Sequence, residues 1–111
     1  MTLTEIPRAQ WQQFFDGASK MLGARTTKVE VTGLGLGDRI AAEWVDLIGI
    51  TYEPKEDTLT VAVEGLQHRI ENPRSIHVDR DVDHIGSIEV VGPDGTHHIV
   101  QFATPLELPA P

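Results

Sequence analysis

The chain has 111 residues, no cysteine and a formal net charge of −8, which fits one domain with one core and excludes disulfides, thiolate metal sites and cysteine nucleophiles. Residues 1–39 hold five Lys/Arg against four Asp/Glu and residues 40–111 four against thirteen; with no basic run to offset this acidity, nucleic acid is not an expected partner. The start "MTLTEIPRAQW" lacks the basic region and apolar run of a signal peptide, and no apolar window is long enough for a bilayer, so no membrane partner and a cytoplasmic location are expected.

The first element is a helix over about residues 7–22. In "PRAQWQQFFDGASKML" the apolar residues Trp11, Phe14, Phe15, Ala18 and Leu22 recur at one helical face. Pro7 suits a first turn, where a missing N–H costs nothing, and Gly23 suits the stop. Gly17 weakens the middle by about 1 kcal/mol relative to alanine.

From about residue 27 to 102 the pattern changes to short β-branched runs broken by turn residues, which reads as about seven antiparallel strands. "TTKVEVT" turns Val29 and Val31 to one side. "RIAAEWV" sets Ile40, Ala42 and Trp44 against Ala41, Glu43 and Val45, and "LIGITYE" puts Ile48, Ile50 and Tyr52 together. "EPKED" is a turn, "TLTVAVE" a strand ended by Gly65, and "HRI" a short one before "ENPR". "SIHVD" follows, then "SIEVV" and "HHIVQF" flank the hairpin turn "GPDG". The tail 104–111 is expected to be loose. The expected fold is α+β: an amphipathic N-terminal helix on a curved, mainly antiparallel sheet or partly closed barrel.

"GLGLGDR", residues 33–39, invites a phosphate-binding reading, and Glu53 stands 20 positions after Gly33, as a dinucleotide fingerprint asks. The spacing is one residue short, however, and "RIAAEWVDL" is too short for a crossover helix. No G-K-[ST] follows. The loop therefore reads as a wide hairpin connection, with Leu34 and Leu36 requiring cover from the helix or a partner.

Other chemistry is sparse. Asp79, Asp81 and Asp83 alternate as in a calcium loop, but His84 takes the place of the required glycine and Val90 that of the bidentate glutamate. These three are weak metal candidates. His97 and His98 are strand neighbours that face opposite ways, so they cannot share an ion, although His98 or His77 could meet a residue from another strand. Glu43, between Ala42 and Trp44, would need Arg39 or Arg69 beside it if its face were covered. No G-x-S-x-G elbow is present, and no catalytic residue or cofactor is assigned.

The blocks "IPRAQWQQFFDGAS", "GLGLGDRIAAEWVDLIGITYEPKEDTL", "NPRSIHVD" and "SIEVVGPDG" together resemble a family of small bacterial proteins known only as a domain of unknown function, over about residues 5–108. The resemblance implies a stand-alone, single-domain bacterial protein of about this length, and it carries no substrate, cofactor or catalytic residue.

The leading functional expectation is a non-enzymatic binding or interaction module that uses an acidic sheet face around Glu43 and the 79–83 turn, toward an unknown protein or a second copy. The alternative is a small-ligand site or enzyme with a pocket near Trp44, Tyr52 and Asp38, with Arg39 and Glu43 as further ligand-binding candidates. A third reading is a weak metal or calcium binder.

Overall fold

The computed structural model describes residues 2–21, 25–33, 37–80 and 84–107. Leu22, Gly23, Leu34, Leu36, Asp81 and Asp83 lie outside the described residues, so the expectations attached to them do too. The chain opens with a strand that the sequence pattern did not show, β1 (Thr2–Glu5). Its alternation is too brief to read, and it exists because Thr2–Glu5 pairs with Arg80–His77 far along the chain.

A 3-10 turn (Arg8–Gln10) leads into α1 (Trp11–Met21). Pro7 stands just before this turn, with ψ 142°, rather than in the first helical turn. Trp11, Phe15 and Ala18 are buried and Phe14 is half-buried, and the helix packs mainly on one long strand, β3 (Gly37–Glu53). The Trp11 indole N–H donates to the Ile6 carbonyl at 2.8 Å, and Ile6 N–H donates to the Ile76 carbonyl at 2.9 Å, so the helix entrance is tied to the sheet.

The remaining strands are β2 (Thr26–Gly33), β4 (Thr58–Val63), β5 (Leu66–Glu71), β6 (Ser75–Arg80), β7 (His84–Val91) and β8 (His97–Glu107). All described pairings are antiparallel, in the order β1-β6-β7-β8-β2-β3-β4-β5. The two end strands do not pair, so the sheet of eight strands is curved but not closed. β8 runs on to Glu107, with Leu106 opposite Ile85, where a loose tail from 104 was expected.

β3 shapes the molecule. The sequence suggests two strands between 40 and 53; the structure has one strand of 17 residues that serves two neighbours. Its first part, Gly37–Asp46, pairs with β2, and its second, Leu47–Glu53, with β4. Three register shifts insert extra residues on β3: Ala41, one of Glu43 and Trp44, and Ile48. Each extra residue bends the strand and raises its twist. The sheet consequently curls until His68 on β5 meets His98 on β8, strands separated by three others in the sheet order.

The core fills the inside of that curl. Val29, Ile50, Leu59, Val61, Ile76, Val78, Ile88, Val90 and Val100 are buried from the strands in one apolar cluster that includes Trp11 and Phe15. "GLGLG" is a tighter connection than expected: β2 and β3 pair as far as Gly33 opposite Gly37, leaving three residues between them. Gly37 has φ +63°, a conformation that three-residue hairpin loops use. A strand, not a helix, follows the glycines, which removes the helix N-terminus that a dinucleotide site needs.

Candidate functional site

The bulges on β3 decide which of its side chains meet solvent. On β2, Thr27 and Val29 are buried, so Thr26, Lys28, Glu30 and Thr32 belong to the outer face. Register places Asp38 opposite Thr32, Ile40 opposite Glu30 and Asp46 opposite Thr26, and leaves Glu43 and Trp44, both exposed, in the bulge across from Lys28. Ile48, the extra residue of the third shift, joins them on the outside. The outer face of β3 therefore reads Asp38, Ile40, Glu43, Trp44, Asp46, Ile48, an alternation of acids and large apolar groups. Ile40, Trp44 and Ile48 are 48 %, 45 % and 68 % exposed.

Trp44 is unusual in its backbone as well. Its φ is +52°, the left-handed region that bulky side chains avoid. Along Gly37–Asp46 the side of β3 away from β2 has no paired strand among the described residues, because β4 joins only at Leu47. The strip thus has an open edge beside an apolar, acid-studded face.

Tyr52 lies elsewhere. It is buried in the second part of β3, edge-on to Trp11 with ring centroids 5.2 Å apart. Its hydroxyl donates to Asp57 Oδ1 at 2.6 Å, and Arg8 Nη1 donates to the same oxygen at 2.9 Å. Arg8 Nη2 donates to the Pro73 carbonyl at 2.8 Å while the guanidinium lies 4.3 Å from the centre of the Trp11 ring. The Tyr52 hydroxyl, and to a lesser degree Arg8, hold the Asp57 carboxyl below its ordinary range; burial, then Asp57 itself, raises the Tyr52 phenol. A cleft of about 480 Å³ beside this cluster is lined by Arg8, Ala9, Gln12, Tyr52, Pro54 and Asp57. Trp44 and Asp38 are not among its lining residues, so the structure does not gather the three expected pocket residues around it.

Arg39 and Glu43 are exposed, and Glu43 needs no buried counter-charge. Arg39 stands opposite Val31, on the inward register, while Glu43 faces out. Asp79 is half-buried on β6, opposite Leu3 and Ser87. Among the described residues no three His, Asp or Glu side chains converge as a metal site.

The third polar feature is a pair of imidazoles. His68 Nε2 and His98 Nδ1 are 2.8 Å apart. The ring centroids are 5.0 Å apart, close to the greatest separation this contact allows, so the two nitrogens meet nearly head-on, one donating and the other accepting. Burial pushes both rings toward the neutral form, His98 to about 4 with a further push from His68. His98 does meet a residue from another strand, His68. His77 instead approaches Glu5 at 3.7 Å, and His97 approaches Glu89 at 3.4 Å.

Arg8, Asp57 and His68 escaped sequence reasoning. Arg8 and Asp57 meet across 49 positions and sit in a turn and a helix entrance, where no periodicity marks inward residues. The left-handed backbone of Asp57, φ +50°, fits a turn-favouring residue type, and "EPKED" was readable as a turn.

Comparison with known proteins adds kinship without an activity. The chain is 34 % identical over 110 residues to an uncharacterized protein of Aquifex aeolicus (strain VF5), covering 98 % of this chain and 99 % of that protein. No solved structure matches it. The family model described as a family of unknown function, DUF5335, matches residues 2–111, and the chain belongs to that family.

Proposed function

We propose that this protein is a non-enzymatic interaction module whose working surface is the outer face of β3 centred on Trp44. One observation carries this reading: Trp44 is a large apolar side chain, 45 % exposed, on a residue with φ +52°. The left-handed region costs a non-glycine residue roughly 1–2 kcal/mol. Core burial does not offset that cost here, since the ring is half in solvent. Strain of this kind collects where a side chain must be aimed for a purpose outside folding. Ile40 and Ile48 extend the apolar surface on the same face.

A second reading, a small-ligand site or enzyme pocket, draws on the cleft beside Tyr52. It is the weaker one, because Arg8, Tyr52 and Asp57 already satisfy one another and an incoming ligand must break that arrangement.

The test is a pair of affinity captures from host lysate, one with the wild type and one with Trp44→Asp, alongside sedimentation of both. Proteins held only by the wild type, or self-association lost in the variant, are expected. Identical captures with both proteins monomeric would overturn the proposal.

A further inference from the structure

We infer that the outer face of β3 takes an extended polypeptide segment in which cationic residues alternate with apolar ones. The inference names the partner class for the interaction surface proposed above and rests on that proposal. It starts from the order of side chains along the face: Asp38, Ile40, Glu43, Trp44, Asp46, Ile48, each apolar group between carboxylates or beside one. The adjoining outer face of β2 adds Glu30 and a single cation, Lys28. Four carboxylates against one ammonium leave this strip strongly negative, and none of the salt bridges within the described residues neutralises Asp38, Glu43 or Asp46.

Charge then selects among occupants. A second copy brings the same acidic strip and the same overall charge of −8, so like charges face each other. Nucleic acid is repelled for the same reason. A segment bearing Lys or Arg is attracted, and its guanidinium groups can also lie on the exposed face of Trp44. From Asp38 to Ile48 a strand rises at most about 33 Å, so the complementary stretch is about ten extended residues. The bulges make this edge a poor template for a long ladder of backbone hydrogen bonds, which leaves side chains to supply most of the affinity and keeps the edge from pairing indiscriminately.

The two tryptophans make the test direct. Trp11 is 1 % exposed and Trp44 45 %, so a change in emission on titration reports on Trp44. The probes are three synthetic peptides of about ten residues: alternating Arg and Val, the same with Glu for Arg, and the same with Ser for Val. The Arg–Val peptide is expected to shift the emission to the blue saturably, and the other two to bind at least about tenfold more weakly. Glu43→Lys/Asp46→Lys should weaken the Arg–Val peptide by at least about tenfold, whereas Glu56→Lys/Glu71→Lys, with the same change in net charge at exposed positions away from the strip, should change it by less than about twofold.

Equal binding of the Glu peptide, equal binding of the Ser peptide, or equal weakening by the two charge-reversed variants overturns the inference. So does self-association that covers Trp44 in the free protein. If no peptide binds yet lysate capture still depends on Trp44, the cationic partner falls and the interaction surface stands; if neither is seen, both fall.

Discussion

Gly17 lies inside α1 with nothing within 4 Å of the position a Cβ would take. Alanine there loses less backbone freedom on folding than glycine and meets no obstacle, so Gly17→Ala should raise the unfolding free energy by about 0.5–1 kcal/mol. Urea denaturation checks this, and an unchanged or lower midpoint would contradict it. The polar cluster at Tyr52 supports a second prediction. Tyr52→Phe removes one hydrogen bond and should cost about 1 kcal/mol at neutral pH. The effect has a pH signature. The Asp57 carboxyl is held low first by the Tyr52 hydroxyl, so its contribution to stability is full above the ordinary carboxylate range and is lost as pH falls through the depressed value. Without the hydroxyl there is less of this contribution to lose, so the stability gap between the wild type and Tyr52→Phe should be full near neutral pH and narrow as pH falls below the ordinary carboxylate range, which urea midpoints across that range check. Tyr52 itself was readable as an inward residue from alternation, but its partners were not. Arg8 and Asp57 are brought together by tertiary folding alone, and both types are common on surfaces.

At the scale of the element, β3 shows why alternation reads some faces correctly and others not. Pattern reading put Ile40, Ala42 and Trp44 on one side of a first strand and Ile48, Ile50 and Tyr52 on one side of a second. The structure buries Ala42, Leu47, Ile50 and Tyr52, and exposes Ile40, Trp44 and Ile48. Each parity change falls at a register shift. A bulge is defined by the strand opposite, so the bulged sequence alone carries little trace of it. The same logic hid the candidate surface: in a regular strand Trp44 would have been core. Its real position predicts that the two tryptophans respond differently to truncation. Trp11→Ala opens a cavity at the centre of the core and should cost about 3–5 kcal/mol. Trp44→Gly removes left-handed strain together with the covered half of the ring, two effects of opposite sign, and should leave stability within about 1 kcal/mol of the wild type. Denaturant midpoints of the two variants decide this, and a large loss from Trp44→Gly would make Trp44 a structural residue.

For the whole molecule, the legible part was the class: one N-terminal amphipathic helix, then antiparallel strands in succession around one apolar interior. Strand order was not legible, because β1 joins β6 and β8 joins β2 through contacts of long sequence separation. The curl that brings β5 over β8 follows from that order together with the bulges, and these two strands touch through His68 and His98 rather than through a ladder. This contact gives the fold a pH dependence with a definite sign. Burial lowers both imidazoles in the folded chain, His98 to about 4, with the neighbouring His68 and His97 pushing the same way and Asp94 opposing. Unfolded histidines titrate near 6.5. Between those values the unfolded chain binds more protons than the folded one, so stability is full above about pH 6.5 and falls as pH drops toward 4. One proton changes the unfolding free energy by at most about 1.4 kcal/mol per pH unit, and partial solvent access makes the slope here shallower. Urea midpoints between about pH 7 and 5.5 sample this window above the ordinary carboxylate range. The wild type should lose stability steadily across it. His98→Gln keeps a side chain able to bond His68 but does not titrate, so its midpoint should fall less over the same interval. Parallel slopes in the two proteins would show that protons taken up elsewhere govern the dependence, and not the imidazole contact between β5 and β8.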